Sequence, residues 1–146
     1  MGEGPLKNSL KSKVESFKLT DKVAFLGYRE DVDKILNITG IFVCASVYES
    51  FGVSIAEAQA CGIPVIATRI DNIKELIKDN ETGILAEPKE PDKLAQAIHR
   101  LAGDQNLRKR LSENAYRFAR KNYAEEKVIN SIDKLYSELL RKKDLY

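Results

Sequence analysis

The chain has 146 residues, 43% of them hydrophobic, enough for one compact domain with a real core and too few for a second full domain. Its 24 basic and 22 acidic residues are spread along the whole length for a net charge of +2, so no electrostatic footprint for a polyanion emerges and nucleic acid is disfavoured as a main partner. No apolar run approaches the roughly 20 residues that cross a bilayer, and Met1 to Leu10 lacks the apolar stretch of a signal peptide, so a cytoplasmic location is expected.

From Leu6 the apolar residues Leu10, Val14 and Phe17 recur at helical intervals, and Val23 to Leu26 then forms a short apolar run closed by Gly27: helix, then buried strand. Asp31 opens a second helix with Val32, Ile35 and Leu36 on one side, followed by the strand-like run Ile41 to Ala45. A polar loop containing Glu49 leads into a helix over Ile55 to Ala60, and Gly62 and Pro64 punctuate the chain before a third strand at Val65 to Ala67. Ile73, Leu76 and Ile77 predict one more short helix, and Gly83 to Ala86 a fourth strand. Strands that are apolar throughout suit a parallel sheet covered by helices on both faces. The expected fold is therefore α/β, an open doubly wound parallel sheet with ligands at the carboxyl ends of its strands. Beyond Pro91 the pattern is wholly helical: Leu94, Ala97, Ile98 and Leu101 mark one helix, Leu107, Leu111, Ala115 and Phe118 a second, and Val128, Ile132, Leu135 and Leu139 a third. The basic tip Arg141 to Lys143 has two readings, peripheral contact with anionic lipid or cations at a helix C-terminus, and the second is favoured.

The chemistry concentrates in Tyr48-Glu49-Ser50-Phe51-Gly52-Val53-Ser54-Ile55-Ala56-Glu57, which runs from the end of a strand through a loop into a helix. Gly52 lets the backbone approach a ligand, and free N–H groups near Val53 to Ala56 suit a diphosphate. Glu49 and Glu57 can bracket one pocket and accept hydrogen bonds from sugar or ribose hydroxyls. Ser54 to Glu57 also reads as a capping box, a purely structural role.

The stretch E-S-F-G-V-S-I-A-E-A-Q-A-C-G-I-P-V-I-A-T resembles the signature of the retaining GT-B glycosyltransferases of family 4, also called group 1: two glutamates with seven residues between them, F-G inside, and A-x-G-x-P-V after. Gly2-Glu3-Gly4-Pro5-Leu6 is similar to the family's G-x-G-P-L turn, Val23-Ala24-Phe25-Leu26-Gly27 to its V-x-F-L-G strand, and Thr82-Gly83-Ile84-Leu85 to its T-G-x-L strand. The resemblance runs from about residue 2 to about residue 140. It implies the C-terminal, Rossmann-like donor half of an enzyme that moves a sugar from a UDP, GDP or ADP sugar to an acceptor hydroxyl with retention, without a cofactor or metal. It implies further that Glu49, the catalytic candidate, binds and orients the donor sugar without having to act as a nucleophile. Ser50, Phe51, Gly52 and Val53 would line the sugar and diphosphate with their backbone. Glu57 would hold the ribose, and Tyr28 and Arg29 would sit beside the base. Asp71-Asn72 departs from the family, where many members have a glycine pair near the donor.

By the same resemblance the first two strands of this domain and the N-terminal acceptor domain are not in the chain, so a single domain over residues 1–146, truncated at its N-terminus, is expected to bind donor weakly and to transfer sugar poorly or not at all. The edge at Ile41 to Ala45 would then be covered by Val23 to Leu26, by rearrangement, or by another copy of the chain. The competing class is a noncatalytic nucleotide-binding or assembly module. A dehydrogenase is disfavoured because Gly2 and Gly4 have no third glycine at dinucleotide spacing. Asp31-Val32-Asp33 imitates a D-x-D metal motif, but helix-start acids explain it. His99 falls off its helix's apolar stripe and should face solvent, and Cys44 and Cys61 read as buried free thiols.

Overall fold

The computed structural model describes residues 3–143; Gly2 of the glycine-proline turn and the side chains of Lys142 and Lys143 lie outside the described residues. The chain divides into two compact units, Met1–Ile35 and Leu36–Tyr146.

In the first unit the helical spacing gives α1 (Lys7–Ser16), none of whose residues is buried. The expected strand at Val23 to Leu26 does not form, and the segment is extended without a ladder. Val23, Phe25 and Leu26 stay 39%, 38% and 45% exposed, and with Leu6 and Leu10 they line an open cavity of about 490 Å³. The reason is that a strand is stabilised by its neighbour. Val23 to Leu26 has no ladder partner among the described residues. The helix α2 (Val32–Asn37) follows, beginning just after Asp31.

In the second unit three strands, β1 (Phe42–Cys44), β2 (Val65–Thr68) and β3 (Ile84–Ala86), form one parallel sheet in the order β1-β2-β3. Phe42 lies opposite Val65, and Ile66 opposite Ile84. The central strand is buried at all four residues, so both of its faces are covered, which its unbroken apolar run requires. Helices α3 (Val53–Ala60) and α4 (Asp71–Leu76) make the crossovers, and α5 (Pro91–Gly103), α6 (Gln105–Asn122) and α7 (Glu125–Lys143) complete the chain. Ile66 and Ile84 pack with Leu101 of α5 and with Leu107 and Leu111 of α6 to form the core.

The helix ends follow from local chemistry. Gly62 adopts a left-handed φ of 68° just past α3; its N–H donates to the Gln59 carbonyl and the Ile63 N–H to the Ala58 carbonyl, the paired bonds of a Schellman turn. Pro91 opens α5, where no N–H is needed, and the Asp104 carboxylate caps α6 by accepting from the Leu107 N–H at 2.8 Å.

Candidate functional site

The carboxyl ends of β1 and β2 each release a loop, and the two loops are tied together. The Thr68 hydroxyl, at the end of β2, donates to the Ser46 carbonyl just after β1. The Asn72 carboxamide, in the first turn of α4, donates from Nδ2 to the carbonyls of Glu49 at 2.7 Å and Ser50 at 3.0 Å. Further along, the Phe51 ring meets Tyr123 edge-on at 6.3 Å, and Tyr123 meets Phe118 in the same way at 5.9 Å. Burial, and secondarily Glu75, raises the Tyr123 hydroxyl above its ordinary pKa.

Gly52 ends the loop with φ 88° and ψ 45° and is itself the N-cap of α3, with no side-chain capping bond. The capping box expected at Ser54 and Glu57 is therefore absent, because the helix starts one residue before Ser54 and places it inside the first turn. Both Ile55 and Ala56 donate their N–H groups to the Gly52 carbonyl, at 2.9 and 3.2 Å. The free amides expected over Val53 to Ala56 thus narrow to Val53 and Ser54, whose N–H groups have no acceptor among the described residues. A side chain at Gly52 would need a strained φ and would bring its Cβ to 2.7 Å from Leu76 Cδ1.

Between the two loops lies an open cavity of about 450 Å³, lined by Val47, Tyr48 and Glu49 from the first and by Arg69, Ile70, Asp71 and Asn72 from the second. This is the carboxyl end of a parallel sheet, where α/β folds bind ligands. The Arg69 guanidinium is already engaged: Nη2 lies 2.6 Å from Asp79 Oδ2, and Nε lies 2.9 Å from Glu87 Oε1. The hydrogen bond to Asp79 is the main cause of the raised Arg69 pKa, against the opposing effect of burial. Asp71 pairs with Lys74 at 2.9 Å. Among the acids lining the cavity, Glu49 makes a local contact, accepting from the Ser50 N–H at 3.2 Å.

The expected site residues fall into three groups. Glu49 is half-buried and lines the cavity. Ser50, Phe51, Gly52 and Val53 follow it directly; Gly52 is buried, while Phe51 and Val53 are 52% and 59% exposed. Glu57 is exposed on α3 and does not line the cavity beside Glu49. Tyr28 and Arg29 belong to the first unit, where Tyr28 is exposed and Arg29 grips Asp31 through two bonds of 2.7 and 2.6 Å. The Arg29 hydrogen bond holds the Asp31 carboxyl below its ordinary range. His99 is exposed, as its position off the stripe requires. Cys44 is a buried free thiol, but Cys61 is exposed, because the C-cap position carries it past the packed face of α3. The ties made by Thr68, Asn72 and Arg69 were not legible as site features; the available signal was a polar residue closing an apolar strand and a carboxamide at the next helix start.

The family model described as "Glycosyl transferases group 1" matches residues 1–118. N-acetyl-alpha-D-glucosaminyl L-malate synthase of Bacillus anthracis is 30% identical over 141 residues, covering 97% of this chain and 37% of its own length. The structure of Anabaena Alr3699/HepE in complex with UDP-glucose superposes with a TM-score of 0.84 at 26% identity, covering 90% of this chain and 36% of that one. The C-terminal domain of a glycosyl transferase group 1 family protein (LpcC) from Francisella tularensis has a TM-score of 0.74 at 31% identity, covering 82% of this chain and 63% of that one. The chain thus spans little more than a third of the first relatives' length, and its fold matches part of the GT-B architecture. With its family model spanning both units and its signature segment at the carboxyl end of the sheet, the chain belongs to the group 1 glycosyltransferase family.

Proposed function

We propose that this chain is the donor-binding half of a retaining glycosyltransferase, a nucleotide-sugar-binding domain. The observation that carries the reading is the cavity between the β1–α3 and β2–α4 loops, lined by the first glutamate of the signature. Its support comes from the Anabaena relative, which holds UDP-glucose, and from the Francisella relative, which is a C-terminal domain.

In this reading the Glu49 carboxylate accepts hydrogen bonds from hydroxyls of the donor sugar, and the unpaired Val53 and Ser54 amides at the start of α3 meet the diphosphate. Glu57, one turn further along the helix, takes the ribose, and Tyr28 and Arg29 flank the base through backbone groups, the Arg29 side chain being held by Asp31. Hydrogen bonds from sugar hydroxyls to an acid strengthen as positive charge grows at the anomeric carbon, so Glu49 favours the transition state without attacking it. Arg69 is neutralised by two carboxylates and is not spent on the diphosphate. With Arg69 already paired, this reading expects the chain by itself to bind donor weakly and to transfer sugar poorly.

Calorimetric titration with UDP, GDP and ADP sugars and their free diphosphates tests this. One nucleotide series should bind. Glu57→Ala should weaken sugar nucleotide and free diphosphate alike, and Glu49→Ala only the sugar nucleotide, each by about tenfold. Equal and negligible effects from both would refute the assigned roles.

A further inference from the structure

We propose that Asn72 is a positioning residue for the donor sugar: its carboxamide pins the Glu49–Ser50 backbone and so fixes where the Glu49 carboxylate stands in the cavity. The proposal rests on the reading of this cavity as the donor-sugar site.

Two carbonyl oxygens one residue apart face the Asn72 carboxamide, at 2.7 and 3.0 Å. Only an N–H₂ group can satisfy both, because the amide oxygen in that place would oppose two acceptors. Both hydrogens of Nδ2 are thereby committed to one short stretch of the neighbouring loop. Asp71, the adjacent residue, pairs with Lys74 instead, so the contact belongs to the carboxamide and is not a general property of the helix start.

The rest of α4 makes the contact rigid. At its far end the buried Leu76 side chain packs against Gly52, and the Leu76 carbonyl accepts from Gln59 Nε2 at 2.9 Å, with Gln59 fully buried on α3. Between these ends Ile73 is also fully buried. One short helix thus touches the segment twice, at Glu49–Ser50 through Asn72 and at Gly52 through Leu76. Glu49 lies within this bracket, and its Cγ would lie 3.6 Å from a Cβ built on Gly52. A carboxylate that must strengthen its bonds in the transition state gains from a backbone that cannot shift.

The test uses the whole chain in four forms: parent, Asn72→Ala, Glu49→Ala and the double variant. In ligand-free amide NMR spectra, Asn72→Ala should shift and broaden the Glu49, Ser50 and Phe51 signals while those of β2 stay in place. Asn72→Asp, which keeps the size and suits a helix start but cannot donate twice when ionised, should do the same. In calorimetry with UDP-glucose, GDP-mannose and ADP-glucose against UDP, GDP and ADP, Asn72→Ala should cost the binding sugar nucleotide about tenfold and its free diphosphate less than about twofold. In the Glu49→Ala background the same change should cost nothing further, since a positioning residue has no effect once the group it positions is gone. Unmoved loop signals overturn the proposal, as do losses that multiply independently in the double variant. A Glu49→Ala chain that binds sugar nucleotide as well as the parent overturns the reading of the cavity and the role of Asn72 with it. A loss on Glu49→Ala with none on Asn72→Ala overturns only the role of Asn72.

Discussion

Val23 to Leu26 and Val65 to Thr68 look alike in the sequence, each a short apolar run beside a glycine or proline, yet only the second becomes a strand. Val65, Ile66 and Ala67 are fully buried between two neighbouring strands, whereas Val23, Phe25 and Leu26 remain more than a third exposed and unladdered among the described residues. An apolar run is a necessary condition for a buried strand; the ladder partner is the sufficient one. The candidate site inherits this difference, because its two loops start from β1 and β2, which pair with each other.

The largest effects should separate the two runs. Ile66→Ala removes a fully buried side chain from the core cluster and should cost about 3 kcal/mol in denaturant unfolding. Val23→Ala should stay within about 0.5 kcal/mol. Comparable losses would break the comparison by giving the first run a hidden partner. Next comes Gly52→Ala, which forces a left-handed φ onto alanine and pushes its Cβ against Leu76, expected to cost about 1–3 kcal/mol. A stability within error of the parent would mean that the loop end yields and that the site is not rigidly framed.

A smaller effect concerns the ion pair behind the cavity. Burial alone would raise the Asp79 carboxyl, but hydrogen bonds from Arg69 and from the Leu85 and Asn80 amides outweigh it and hold the pKa below the ordinary value. A lowered native pKa means that the fold favours the ionised form. The resulting stabilisation is complete above the unfolded value of about 3.9 and is lost as pH falls through the native one. Asp79→Asn should therefore cost about 1 kcal/mol at pH 7, after allowance for solvent screening, and the gap to the parent should close in acid. A gap that persists unchanged at the lowest pH would assign it to packing instead.

The helices and the sheet of the second unit were legible because their signals are local and mutually consistent. Gly62 marked the end of α3, Pro91 the start of α5, and the stripes at Leu94 to Leu101 and Leu107 to Ala115 marked the faces that reach the core. The chemical segment was legible through the pattern from Glu49 to Glu57. Its environment was not, since Asn72 lies 23 positions from Glu49 and no spacing rule links them. The capping box failed for a related reason: Ser54 and Glu57 have the right spacing, but Gly52 reaches the helix start first by adopting a conformation open to it and costly for the residues around it. Cys61 is exposed where burial is expected, because a free thiol is by default a small buried hydrophobe and the turn at the helix end overrides that default.

The most direct test of the central claim is to follow the backbone amide signals of the chain while titrating in the nucleotide sugar that binds. The largest changes are expected at Glu49 to Ser54 and at Asn72, with the free diphosphate moving Val53 and Ser54 but sparing Asn72. Changes confined to α5, α6 or α7, with the loop between β1 and α3 unmoved, would contradict it.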